Sequence, residues 1–269
     1  MKHTLKVTLI ILGIFLLAQM VGLYVTDHFS PQEELPLNIE RPEVSETGSF
    51  FTLFIFILLA TALALLLIKF ALFKIWKFWF LLSVFFTLTV TWSAFMWEWL
   101  AIVLAIIFAL LKIFKPNPWI HNFTEVFIYG ALAAIFVPML NLLSVSLLLI
   151  LISVYDYIAV RRTKHMIKLA KSQSKANIFA GILIPYGKKK VAMLGGGDIG
   201  FPLLFGGVVM KTFGFGLLDP RTYIVPLFAA LALFYLFYTA DKKKFYPAMP
   251  YVAAGCFIAL ALVYLIQFF

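Results

Sequence analysis

The chain has 269 residues, 64% of them hydrophobic and only 13% charged, with a mean hydropathy of +1.02. So few charges cannot cover a water-soluble domain, so the composition excludes that class and leaves an integral membrane protein. The net charge of +10 is not read as a nucleic-acid footprint, because Lys and Arg cluster between apolar runs, and the single cysteine, Cys256, excludes an internal disulfide framework.

A membrane span needs about 20 mainly apolar residues. Nine runs qualify: 5–26, 49–68, 78–95, 97–114, 121–139, 142–160, 191–217, 222–240 and 249–268. The first is too long for a signal-peptide core and lacks a small-residue cleavage site, which predicts a retained span. The third and fourth are separated only by a tight turn around Trp97, and Pro138 and Asn141 mark the turn between the fifth and sixth. With the N-terminus in the cytoplasm, 19 of the 22 Lys and Arg fall on that side, leaving Arg41 and Arg221 outside and Lys211 within a span. The first external loop is acidic instead, with Asp27, Glu33, Glu34, Glu40, Glu43 and Glu46. The expectation is an all-α membrane protein of nine transmembrane helices, N-terminus cytoplasmic and C-terminus external. It forms a single polytopic unit over 1–269, with spans to about 160, a cytoplasmic loop over about 161–190 and three more spans. Within it, Glu125 is expected at the interface and Lys211 to snorkel outward.

Two carboxylates interrupt these runs: Asp156, in the sixth, and Asp198, in the seventh. An ionisable group inside a bilayer costs several kcal/mol and is a functional candidate by default. Asp156 lies five residues before Arg161, hence about 7–8 Å from the basic cytoplasmic edge at a helical rise. Asp198 lies eight residues after Lys190, about 12 Å from the same edge by the same rise. Antiparallel neighbours would bring the two to similar depth. A close pair of carboxylates shares one proton, so one can activate a water while its protonated partner hydrogen-bonds a carbonyl. From the pair alone, aspartic-protease chemistry and a proton pathway are equal readings.

The flanking residues favour the first. Gly195 and Gly197 leave the backbone beside Asp198 uncovered, although Gly196-x-x-x-Gly200 also fits close helix packing. At the cytoplasmic start of the last run, Pro247-Ala248-Met249-Pro250 is expected to be extended or kinked. Non-helical backbone at membrane depth belongs where it lines a cavity or is buried in protein.

Taken together, Tyr155-Asp156, the Gly-x-Gly-Asp of 195–198 and Pro247-Ala248-Met249 resemble the presenilin and signal peptide peptidase family of GxGD intramembrane aspartyl proteases. The order of motifs on spans six, seven and nine is similar over essentially the whole chain, most like a small microbial, archaeal-type presenilin homologue. The resemblance implies an intramembrane aspartic endopeptidase that cuts single-span transmembrane helices, with Asp156 and Asp198 as the catalytic pair. It implies substrate-binding roles for Tyr155, Gly195, Gly197, Pro247, Ala248 and Met249, the last replacing the family's Leu with an adaptable side chain of similar volume. The expected partners are transmembrane-helix substrates and the lipid bilayer of the cell membrane if the source is prokaryotic, without nucleic acid; a homo-oligomer is left open. No metal or organic cofactor is expected, and activity is expected to peak at mildly acidic to neutral pH.

Other motifs dissolve on inspection. Gly195-x-Gly197-x-x-Gly200 spells a dinucleotide-binding pattern, but that site needs a soluble βαβ unit. His3, His28, His121 and His165 are scattered, with no metal-ligand spacing. The rival is a proton-coupled transporter or channel using the same buried acids, though the chain has no convincing internal repeat.

Overall fold

A computed structural model describes residues 2–32, 34–41, 49–176, 178–187, 190–241 and 245–268. Glu33, Glu43, Glu46, Lys188, Lys189 and Lys242–Lys244, which entered the charge pattern, lie outside the described residues. The chain folds into α1 (Leu5–Phe29), β1 (Glu34–Leu35), β2 (Ile39–Glu40), α2 (Ser49–Lys69), α3 (Phe73–Ser93), α4 (Glu98–Phe114) and α5 (Pro118–Phe136). There follow α6 (Leu142–Tyr157), α7 (His165–Ala176), β3 (Gly181–Tyr186), β4 (Lys190–Gly195), α8 (Gly196–Phe213), α9 (Ile224–Thr239) and α10 (Met249–Phe268). Seven helices among the described residues are long and apolar enough to cross a membrane. Of the other expected spans, α4 has 17 residues, and α8 has 18 diluted by glycines, Asp198, Pro202 and Lys211.

Local chemistry sets the boundaries. The Asn117 side chain caps α5 by accepting the Trp119 N–H at 2.9 Å, with Pro118 pre-set for the first helical position. A 3-10 turn at Val137–Met139 carries Pro138, and the Asn141 side chain then caps α6 through the Ser144 N–H at 2.8 Å. Gly214, at φ +66°, closes α8 in the left-handed conformation that glycine adopts without penalty.

Helix α1 packs along α5, α9 along α10 and α3 along α4, while α6, α8 and α10 converge on a common core. That core includes Phe15, Leu148, Ile199, Phe205, Leu233 and Val252. Small residues let the backbones approach: a Cβ at Gly255 would stand 2.6 Å from the Phe228 carbonyl oxygen of α9. At the periphery, α2 turns Phe51, Phe56, Leu59 and Leu63 outward, each more than half exposed, as expected of side chains facing lipid.

The structure departs from the expected all-helical pattern between α7 and α8. Residues 190–195 form β4, paired antiparallel with β3 from Gly181↔Gly195 to Tyr186↔Lys190, and the helix begins only at Gly196. Three consecutive glycines penalise helix, and burial alternates along β4, with Ala192 and Leu194 buried and Val191 exposed. The helical rise used to place Asp198 below Lys190 therefore does not apply; the hairpin places it. Glu125 is a second correction. It is fully buried rather than interfacial, ion-paired at 2.8 Å with Lys112, which is equally removed from solvent. Lys211 donates to the Pro138 carbonyl at 3.0 Å.

Candidate active site

Asp156 sits in the last turn of α6. The helix widens directly after it into a π-helical turn at Ile158–Arg162, closed by Thr163 N–H on the Ile158 carbonyl at 3.0 Å. Single π turns concentrate at functional sites because they re-aim side chains within a helix. Asp198 sits in the first turn of α8, where helix N–H groups point toward a carboxylate.

Both aspartates line one cavity of about 590 Å³, and Asp156 is close enough to act electrostatically on Asp198. The cavity is walled by α6, α7, both hairpin strands, the end of α9 and the Phe245–Ala248 approach to α10. Met249 N–H donates to Asp156 Oδ2 at 3.1 Å, and Ser153 Oγ donates to the Met249 carbonyl at 3.3 Å. Residues 245–247 are irregular, Ala248 bends and α10 starts at Met249, so the expected extended or kinked backbone is present at Pro247 and Ala248, while Met249 and Pro250 already belong to the helix.

Of the expected site residues, Asp156, Asp198, Gly195 and Ala248 line the cavity. Gly197, Pro247 and Tyr155 do not, and the buried Met249 reaches the site through its backbone. Tyr155 instead pairs its hydroxyl with His165 Nε2 at 3.0 Å, tying α6 to α7. A Cβ at Gly195 would stand 3.3 Å from Asp198 Oδ2, so the bare glycine leaves that carboxylate open.

The sequence reading missed the N-terminal contribution. Lys2, His3 and Thr4 form part of the cavity wall. Lys2 N–H donates to the Phe237 carbonyl at 2.8 Å, its ammonium lies 5.8 Å from the Phe245 ring centroid, and it carries its charge within reach of Asp198. His3 Nδ1 is hydrogen-bonded to the Tyr186 hydroxyl at 3.1 Å; burial, then the Lys2 charge, hold its pKa down to about 4. Nothing near residue 2 in sequence signals contact with Asp198, so only the folded chain could show it. Among the described residues no group of His, Cys, Asp and Glu could hold a metal ion.

The sequence matches the family of signal-peptide peptidases and presenilin aspartyl proteases over residues 12–190. The chain belongs to that family. It is accordingly an intramembrane aspartic protease and an integral, multi-pass membrane protein. The matched stretch contains Asp156 and stops short of Asp198, but the fold extends the likeness across the chain. A presenilin family intramembrane aspartate protease solved in space group C222 is 20% identical, with TM-score 0.65, covering 95% of this chain and 99% of that one. A structure described in the same words in space group P2 is 18% identical, with TM-score 0.67 and 98% coverage of both chains. No curated protein matches the sequence.

Proposed function

We propose that this family member cleaves single-span transmembrane helices between Asp156 and Asp198, which share a proton and activate a water. The observation that carries the reading is the placement of both carboxylates in one cavity, with the Met249 N–H on Asp156. One aspartate takes a proton from the water as it attacks the scissile carbonyl. Its protonated partner hydrogen-bonds the carbonyl oxygen and returns a proton to the leaving amine.

A helical substrate hides its backbone, so it must unwind before attack. Strand addition offers the released N–H and C=O groups new partners. The irregular Phe245–Ala248 approach is one wall for such a strand and β4 another. Val191, Met193 and Gly195 line the cavity, and the hairpin register leaves their backbone groups turned away from β3. Lys2 and Lys190, also in the wall, keep its mouth cationic.

The proposed topology is a single polytopic unit of nine spans with a cytoplasmic N-terminus. It is supported by nine long helices among the described residues and by the distribution of Lys and Arg. The dyad then faces the cytoplasmic half of the bilayer. The transporter reading is not favoured by the family match. Reconstitution with a single-span substrate tests the proposal: cleavage should vanish in Asp198→Ala with folding intact. Absent cleavage in wild type, together with Asp198-dependent proton or solute flux, would replace protease by transporter.

A further inference from the structure

The β3–β4 hairpin has two outer edges, and they are treated differently. In an antiparallel pair, alternate residues turn their N–H and C=O outward. On β4 these are Val191, Met193 and Gly195, facing the cavity. On β3 they are Gly181, Leu183 and Pro185, the first two facing α5.

Helix α5 occupies every outward group of the first two. The Gly181 N–H donates to Glu125 Oε2 at 2.8 Å, and the Gly181 carbonyl takes a hydrogen from His121 Nε2 at 2.7 Å. Leu183 is held on both sides by one side chain: its N–H donates to Asn122 Oδ1 at 2.9 Å and its carbonyl accepts from Asn122 Nδ2 at 2.7 Å. Pro185 has no N–H to offer.

The Glu125 carboxylate is itself fixed. Its Oε1 pairs with Lys112 Nζ at 2.8 Å, and that ammonium also donates to Thr124 Oγ1 at 2.7 Å and to the His121 carbonyl at 3.3 Å. Its Oε2 accepts a short hydrogen bond from the Tyr129 hydroxyl. The same hydroxyl lies 2.9 Å from where a Cβ on Gly196 would stand, and the Gly196 N–H closes the hairpin onto the Ala180 carbonyl at 3.1 Å. The cluster thus touches the hairpin where it begins, at Gly181, and where it turns into α8, two residues before Asp198. None of Lys112, His121, Asn122, Glu125 or Tyr129 lines the cavity.

We infer that Glu125, braced by Lys112, acts with His121 and Asn122 as a positioning set that locks β3 to α5 in one register. It thereby decides which peptide bond of a substrate on the β4 edge meets the dyad. A two-stranded hairpin is marginal by itself, and a one-residue slip would exchange its faces. Bonds to both backbone groups of Gly181 and Leu183 forbid that slip. They also close the β3 edge to any added strand, leaving β4 open. This inference rests on the proteolytic reading above.

The test compares wild type, Glu125→Gln, Asn122→Ala and the double variant Lys112→Met with Glu125→Leu, reconstituted in lipid vesicles with one single-span substrate. Products are mapped by intact-mass spectrometry, kcat and KM are separated, and each unfolding midpoint is recorded. Glu125→Gln and Asn122→Ala should lower kcat on the order of tenfold, leave KM within about twofold, and spread cleavage over neighbouring bonds. The double variant also takes the acceptor from the Gly181 N–H and the Tyr129 hydroxyl, so its unfolding midpoint should fall; assayed below that midpoint, it should show the same widened product pattern. Unchanged product patterns would overturn the inference, whether activity is retained or falls only in proportion to the folded fraction. A wild type that cuts nothing overturns the proteolytic reading, and this inference with it.

Discussion

Asp156 accepts the Met249 N–H at 3.1 Å, joining the end of α6 to the start of α10 across 93 residues of chain. The neighbouring Ala248 N–H also acts on this carboxylate, so the start of α10 holds Asp156 through its backbone.

Met249→Pro removes that N–H while keeping a residue suited to the first helical position. A hydrogen bond to a charged group contributes about 1.5–3 kcal/mol, so kcat should fall roughly 10- to 100-fold. Met249→Leu keeps the donor and a similar volume, and its kcat should stay within about a few-fold of wild type. Equal rates for the two variants in vesicle cleavage assays would remove this bond from the mechanism.

The packing of α9 on α10 holds the Ala248 bend in place. Gly255→Ala would drive a Cβ to 2.6 Å from the Phe228 carbonyl oxygen and 3.0 Å from Ala232 Cβ. Backbone cannot yield as a side chain does, so the substitution should cost about 1–3 kcal/mol. Gly13→Ala, with nothing within 4 Å of its added Cβ, serves as the control. Thermal unfolding in lipid should show a lower midpoint for the first variant alone.

Gly181 combines a φ of +136° with a Cβ position only 2.2 Å from the Leu194 carbonyl oxygen. Gly181→Ala is therefore strained twice, in its own backbone and against β4. Protease-resistant folded protein should remain, held by the helices. Hydrogen exchange at Ile182 and Leu194 should accelerate and cleavage activity should be lost. Native exchange at these amides would contradict the assignment of strain to the hairpin.

His3 carries the pH dependence of the N-terminal wall. Its docked pKa of about 4 lies below the ordinary 6.5, so the docked state prefers the neutral ring. Docking is then complete above pH 6.5 and is weakened progressively as pH falls from 6.5 toward 4. The groups facing it are Lys2, the Tyr186 hydroxyl and the Phe237 ring. An NMR titration of histidine-labelled protein should show His3 titrating near 4, and Tyr186→Phe should raise it toward 6.5 by loosening the segment. A His3 that titrates at the ordinary value in wild type would show the segment undocked.

By itself the sequence determined the membrane class, the apolar runs, and the two acids with their glycine and proline neighbours. Composition, run length and motif spacing are local properties, legible without any contact. It also predicted non-helical backbone at Pro247-Ala248, because proline acts through its own backbone, but Pro250 instead sits in the first turn of α10, a position proline tolerates. The hairpin was not legible as such, since residues 191–195 are apolar enough to extend a span, and strand differs from helix there only through pairing with β3. Nor was the burial of Glu125 legible. A lone carboxylate near a span end looks interfacial until Lys112, on another helix, is brought within 2.8 Å. Lys2 reaches the dyad cavity for the same reason. What only the tertiary structure decided is which charges meet, because electrostatic and hydrogen-bond partners are set by distance in space and not by separation along the chain.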